Sequence, residues 1–149
     1  MNWIEYYRQL THVIKLKSKD EKTKIGVLIV GTDNEIISTG YNSFPRGLND
    51  NVPERQERPE KYFWFEHAER NAIYNAARIG VSTKGTTMYM SCGMPCTDCA
   101  RAIVQAGIKT IYCVPPDDDP LHKIPKWMES FKRSYELLDE CGVKVIFYD

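Results

Sequence analysis

Two short stretches bring together residue types that can do chemistry: His67-Ala68-Glu69 and Pro95-Cys96-Thr97-Asp98-Cys99. Each is expected to open a helix. Cys96 and Cys99 stand three apart, so on a helix they share one face. In a first turn, the positive end of the helix dipole favours their thiolates. One imidazole and two thiolates make three ligands for Zn²⁺ and leave a fourth tetrahedral position for water, whereas a closed structural site fills all four. The two thiolates cancel the formal charge of the ion, which still makes that water more acidic. Glu69 follows His67 too closely to be a second ligand from the same turn. It is placed instead beside the water, where a carboxylate can take a proton and pass it to a substrate.

Plainer readings exist for each piece. A lone C-x-x-C serves equally as a redox pair or a structural zinc knuckle. The redox pair has no need of His67 or Glu69. The structural site wants a fourth ligand, and the nearest candidate, Cys92, ends an expected strand and reads as a small core residue. His67 alone reads as a satisfied structural histidine. With both motifs on successive helix starts joined by one strand, the catalytic reading is the stronger. H-x-E with P-C-x-x-C, the Glu not a ligand, is the known signature of zinc-dependent base deaminases. His12 and His122 read as structural or solvated, and Cys113 and Cys141 as core. Phe63, Trp64 and Phe65, just before His67, read as packing at the helix entrance, with a base-stacking wall or a subunit contact as alternatives.

The elements that must position these residues follow from periodicity. Trp3, Tyr6, Tyr7, Leu10, Val13 and Ile14 recur at helical spacing, predicting an amphipathic helix over Trp3 to Lys17. Ile25 to Val30 is a short apolar run, as in a strand covered on both faces. After the turn residues Gly31 to Asn34, Glu35 to Thr39 returns as its hairpin partner. Gly40 to Tyr62 is rich in Asn, Pro, Gly and charge and reads as a long loop. A helix follows from about Glu66 to Ile79, stopped by Gly80, with Ala68, Ala72, Ile73 and Ala76 as a small-residue stripe suited to a sheet. Strand Thr86 to Ser91, helix Cys96 to Ala106, strand Lys109 to Val114, an aperiodic loop Pro115 to Ile124, a helix from Pro125 to Gly142 and strand Val143 to Tyr148 complete the chain. In the last helix Phe131, Leu138 and Cys141 are expected on the core. The order α-β-β-α-β-α-β-α-β implies a mixed sheet with helices on both faces.

Bulk properties narrow the function. At 149 residues, 42% hydrophobic and 27% charged, the chain fits one compact globular unit. Twenty Lys and Arg balance twenty Asp and Glu. Proteins that grip a nucleic-acid backbone carry a basic excess or tail, so a small nucleotide is easier to accommodate than a polymer. Met1 to Glu5 does not resemble a secretion signal, and no apolar run reaches the roughly 18 residues that span a bilayer. Five cysteines, an odd number, suit a reducing compartment. The expected location is cytoplasmic.

Beyond the metal motifs, Ser18-Lys19-Asp20, Thr23-Lys24-Ile25-Gly26, Gly40-Tyr41-Asn42-Ser43-Phe44-Pro45-Arg46-Gly47, His67-Ala68-Glu69-Arg70-Asn71-Ala72-Ile73 and Gln105-Ala106-Gly107-Ile108-Lys109 resemble the deoxycytidylate deaminase branch of the cytidine deaminase superfamily. The resemblance runs from about Ser18 to Val114. It implies an α/β fold, a three-layer α/β/α cytidine deaminase-like domain with a mixed five-stranded sheet, spanning residues 1–149. It implies hydrolysis of dCMP to dUMP and ammonia, feeding thymidylate synthesis, with His67, Cys96 and Cys99 on zinc and Glu69 moving the proton. Asn42, Ala68 and Asn71 would meet substrate: the Asn42 amide at sugar or base, and Asn71 at the phosphate or a neighbouring subunit. Family members are commonly homohexamers activated by dCTP, which can bring Mg²⁺, and inhibited by dTTP. The effector segments correspond here to Lys19, Lys24, Arg46 and Gly47, with Arg78 at a position linked to subunit contact and regulation. The chain departs from the pattern after strand four: a Tyr usually closes over the deoxynucleotide there, and Val114 to Asp119 stand in its place, leaving Tyr112 or Trp127 to substitute. A tRNA adenosine deaminase shares the H-A-E and P-C-x-x-C elements but normally carries Met where this chain has Asp98. From another class, a non-catalytic zinc domain that binds nucleotides or partners would leave Glu69 dispensable.

Overall fold

A computed structural model describes all 149 residues. Helix α1 (Trp3–Ile14) is capped by Asn2, whose side chain accepts the Glu5 amide at 2.9 Å, and unwinds through one 3₁₀ turn at Lys15–Lys17. Strands β1 (Gly26–Val30) and β2 (Ile36–Tyr41) form the expected antiparallel hairpin. Strand β3 (Thr87–Met90) pairs antiparallel with β1, then β4 (Thr110–Cys113) and β5 (Lys144–Phe147) follow in parallel. The sheet order is β2-β1-β3-β4-β5, so β1 lies inside the sheet and every one of its residues is buried.

Alternation along β1 divides the core. Leu28 and Val30 face Tyr7 of α1, together with Tyr89 and Tyr148. Val27 and Ile29 face the other way, toward Ala68 and Ala72 of α3 (Ala68–Ile79), Ile103 of α4 (Thr97–Gln105) and Phe131 and Leu138 of α5 (Pro125–Glu140). Both parallel crossovers step the same way across the sheet, and right-handed connections then put α4 and α5 on one face. Helix α3 shares that face, which leaves α1 alone on the opposite one. This is the mixed five-stranded sheet between helical layers that the sequence implies.

Closeness of α3 to the sheet depends on small residues on both sides. Ala68, Ala72 and Ala76 are fully buried, and Ile73 is half-buried. Opposite them, a β-carbon at Gly40 would sit 2.4 Å from the Ala68 carbonyl oxygen and the Ala72 nitrogen. A strand glycine here serves close backbone approach. It brings the first turn of α3, where His67 and Glu69 sit, down against the sheet.

Several expectations are corrected. Cys141 is exposed, not core. It lies one residue past the end of α5, and the left-handed Gly142 (φ 77°) turns the chain so that Leu138 and Val143 take the buried positions. Trp3, Tyr6 and Val13 keep helical spacing yet stay exposed, because Tyr7, Leu10, Thr11 and Ile14 form the stripe that packs on the sheet. Strand β2 runs on through Gly40 and Tyr41, and the stretch read as loop holds a 3₁₀ turn at Pro53–Gln56 and the short helix α2 (Lys61–Trp64). Two further 3₁₀ turns, Pro116–Asp118 and Pro120–Lys123, occupy the aperiodic loop before α5. Turns this short leave no periodicity to read. No helix is long and apolar enough to cross a membrane.

Candidate metal centre and cavity

His67 and Cys96 are the N-cap residues of α3 and α4, and the two helices pack side by side with these starts together. The His67 amide donates to Glu66 Oε1 at 3.0 Å, and the Cys99 amide to Cys96 Sγ at 3.5 Å. His67 Nδ1 stands 3.5 Å from Cys96 Sγ and 3.4 Å from Cys99 Sγ, and all three ligand atoms lie within 4.8 Å of one another. A tetrahedral zinc ion with Zn–N of about 2.1 Å and Zn–S of about 2.3 Å needs its ligand atoms about 3.6 Å apart. The donor set and its spacing therefore fit the ion. Neither Glu69 nor Cys92 belongs to this cluster.

The local charges agree with a metal centre. A hydrogen bond from Cys99, with His67 adding to it, pulls the Cys96 thiol down to about 4 against the opposing effect of burial. The adjacent Cys96 and burial push the Cys99 thiol up, and a cation held between the two sulfurs would favour its thiolate. Burial pushes the Glu69 carboxyl above the usual carboxylate range, with the neighbouring His67 working the other way. Burial also drives the Cys92 thiol well up, which suits the small core residue the sequence suggests. Arg70 lies beside the thiolates. Burial would lower its pKa, but Cys99 and Glu66 outweigh that, and it stays a cation bonded through Nε to Glu66 Oε1 at 2.6 Å, with Asp98 at 3.8 Å.

In front of the cluster opens a cavity of about 430 Å³. Ala68, Glu69 and Asn42 line it; Asn71 does not, since its amide donates to the Tyr41 carbonyl at 2.8 Å. The Asn42 amide is fully engaged inside the protein. Its oxygen accepts from Ser18 Oγ and the Ile25 amide, both at 2.8 Å, and its nitrogen donates to the Thr23 carbonyl at 2.7 Å and Asp20 Oδ2 at 3.4 Å. Asn42 thus ties the segment 18–25 to the end of β2 and forms the cavity wall. The expected effector residues lie outside the cavity and no bond joins them to one another. Lys19 reaches Asp50 at 3.9 Å, Lys24 the Ser18 carbonyl at 2.7 Å and Arg46 the Asn75 side chain at 2.8 Å; Gly47 (φ 88°) and Arg78 are exposed. Of the two aromatics offered as substitutes for the family Tyr, Trp127 lines the cavity. Tyr112 stacks on Tyr89 (4.7 Å) on the α1 face. Phe65 packs on Phe44 at 4.2 Å and lines the cavity, whereas Phe63 is exposed.

The sequence does not single out Arg58, Lys61, Asp119 or Lys126, all of which line the cavity. They come from two stretches far apart in the chain, Arg58 and Lys61 before and at the short α2, Asp119 and Lys126 before and at the start of α5, where no motif spacing marks them. Asp20 and Lys61 form a buried ion pair at 2.6 Å. Burial by itself would raise the Asp20 carboxyl, but the Lys61 bond and the amides of Lys22 and Thr23 together pull it down. Its folded value is depressed, so its stabilisation is complete above the ordinary carboxylate value of 3.8 and is lost as pH falls through the folded value. Asp20→Asn, which strands the Lys61 charge, should cost about 3–5 kcal/mol at pH 7. In thermal melts the gap to the parent protein should narrow as the pH drops below that of an ordinary carboxylate.

Comparisons with known proteins agree with this geometry. The profile for the cytidine and deoxycytidylate deaminase zinc-binding region matches residues 1–115. An uncharacterized deaminase from the luxG 3′ region of Aliivibrio fischeri is 33% identical over 143 residues, covering 96% of this chain and 91% of that protein. The deoxycytidylate deaminase of Mus musculus is 36% identical over 116 residues, 74% of this chain but 64% of its own length, so the chain spans a little under two thirds of that relative. Among solved structures, dCMP deaminase of the cyanophage S-TIM5 in complex with dCMP and dUMP superposes with a TM-score of 0.76 at 23% identity, over 97% of this chain and 95% of that one, a likeness of fold. With a profile match that takes in every metal-cluster residue and Glu69, the chain belongs to the cytidine and deoxycytidylate deaminase family and is a deaminase.

Proposed function

We propose that this enzyme hydrolyses dCMP to dUMP and ammonia. The observation that carries the substrate is the distribution of charge in the cavity. His67, Cys96 and Glu69 line it, the first two beside the fully buried Cys99, while Arg58 and Lys126, both exposed, line it with no carboxylate within 4.0 Å. Lys126 Nζ donates to the Tyr62 hydroxyl at 3.2 Å, which holds it at the rim. A nucleoside monophosphate matches that polarity, with its base toward the metal ligands and its phosphate toward the two cations. The relatives named deoxycytidylate deaminase support the same reading.

When bound, zinc supplies Lewis-acid activation of the attacking water. The chain's own residues do the rest. Glu69 takes a proton from the water as its oxygen adds to the ring carbon and delivers it to the ring nitrogen. It then takes the proton of the hydroxyl so added and passes it to the amine, so that the C–N bond breaks, the carbonyl forms, ammonia leaves and the carboxylate is restored. A carboxyl raised by burial suits both taking and giving a proton near neutral pH. Ala68, fully buried on the cavity wall, packs against the base, and Trp127 covers the side left open by the missing family Tyr. Asn42 contributes by holding the 18–25 wall in place.

Ammonia release or the ultraviolet shift, measured with dCMP, deoxycytidine, CMP and a tRNA anticodon stem, tests the substrate. Turnover confined to deoxycytidine, or to the tRNA, rejects the proposal. Arg58→Ala and Lys126→Ala should each raise KM for dCMP about tenfold or more, the worth of one charge-assisted bond, and leave deoxycytidine unaffected. The same assay with dCTP and Mg²⁺, or with dTTP, tests regulation through Lys19, Lys24, Arg46, Gly47 and Arg78. Stimulation by dCTP and loss of activity with dTTP are expected, together with a homohexamer in solution. That part of the reading is supported by the family resemblance.

A further inference from the structure

Asp119 is a buried cavity carboxylate that neither the metal cluster nor the Glu69 proton path employs. It is 6% exposed. Its Oδ1 accepts the Leu121 amide at 3.1 Å, and its Oδ2 has no donor in the protein. No Lys, Arg or His nitrogen lies within 4.0 Å of it. Oδ2 rests against Gly93, where a β-carbon would come within 2.1 Å of it. Gly93 follows Cys92 in the segment that leads from β3 to Cys96, so this oxygen borders the metal-binding end of the cavity. Burial, with Asp119 and Glu69 adding to it, raises the Cys113 thiol to about 12, and both carboxylates also act on Cys92. Asp119 and Glu69 therefore both act on Cys92, which lines the cavity, whereas Arg58 and Lys126 line it as exposed cations.

A buried anion without a cation needs hydrogen-bond donors, and a carboxylate oxygen accepts only. The protein offers Oδ2 none, and this oxygen is open to the cavity, where a bound molecule can supply one in place of water. The substrate and product of a base deaminase differ in the group they present at the reacting carbon: an amine that donates before the reaction, a carbonyl oxygen that accepts after it. We propose that Asp119 Oδ2 accepts a hydrogen bond from the exocyclic amine of the substrate base, favouring the aminated ring and repelling the keto product. This rests on the reading of the cavity as a nucleotide deaminase site.

The test uses zinc-loaded protein in a Glu69→Gln background, where turnover is slowed enough for affinities for dCMP and dUMP to be compared by calorimetry. Asp119→Asn keeps an oxygen for the Leu121 amide, so the turn is retained while the charge goes. The preference for dCMP over dUMP should fall about tenfold or more, through loss of a charge-assisted bond and relief of carboxylate–carbonyl repulsion. Gly93→Ala, which displaces the carboxylate without changing it, should lower the same ratio. A ratio unchanged in Asp119→Asn with full zinc content overturns the inference, because a bond to a sugar hydroxyl would weaken both nucleotides equally. Failure of the Glu69→Gln protein itself to bind either nucleotide sinks the nucleotide reading as a whole, a result distinct from an unaltered preference.

Discussion

Glu69→Gln should leave one zinc ion per chain in place and lower turnover by about 10²–10⁴-fold or more. That range is the usual contribution of a positioned general acid/base, and here one carboxyl serves the water, the ring nitrogen and the leaving amine in turn. The substitution is nearly isosteric at a buried position, since Glu69 is 4% exposed on the first turn of α3, at the cavity wall. Packing and the metal cluster should survive, because Glu69 lies outside the His67, Cys96 and Cys99 set. Metal analysis paired with steady-state rates checks this. A variant that keeps its zinc and most of its activity would assign the centre to a non-catalytic zinc domain.

Cys99→Ser should be more drastic, removing metal and activity together. Cys99 is completely buried, and its sulfur stands 3.4 Å from His67 Nδ1. A hydroxyl there does not ionise as a thiolate does, and the remaining imidazole and single sulfur are too few to hold the ion. Because zinc binds the folded chain and not the unfolded one, its loss also lowers stability, by about 4 kcal/mol where free zinc stands at a thousand times its dissociation constant. Chelator should lower the melting temperature of the parent protein and leave that of Cys99→Ser unmoved. Cys92→Ser is the control. It should retain zinc, because burial keeps that thiol protonated and it is not in the cluster. Metal loss in Cys92→Ser would mean a closed four-ligand site with no position for water.

Much of this protein was legible in order along the chain. Apolar spacing located α3, α4 and α5 and the run of β1, and Gly80 and Gly142 marked two helix ends with left-handed backbones (φ 78° and 77°). The metal cluster was legible because its residues sit at the starts of two helices: each motif is local, and local spacing is what a sequence displays. The grouping of His67, Cys96 and Cys99, whose ligand atoms the fold brings within 4.8 Å of one another, can therefore be read from the sequence alone.

The cavity is a different matter. Asp20 meets Lys61, and Asp119 meets Gly93, across chain separations that no periodicity encodes. Asn42 carries the expected amide, but only the fold shows that Ser18, Asp20, Thr23 and Ile25 take up its hydrogen bonds. Tyr112 and Trp127 were equal candidates in the sequence. Register in β4 turns the first toward α1, and the crossover of α5 brings the second over the site. Helical and strand periods state which side of an element is buried; which elements face one another, and hence which loop residues share a wall, is settled only when the sheet order and crossover hand bring them together.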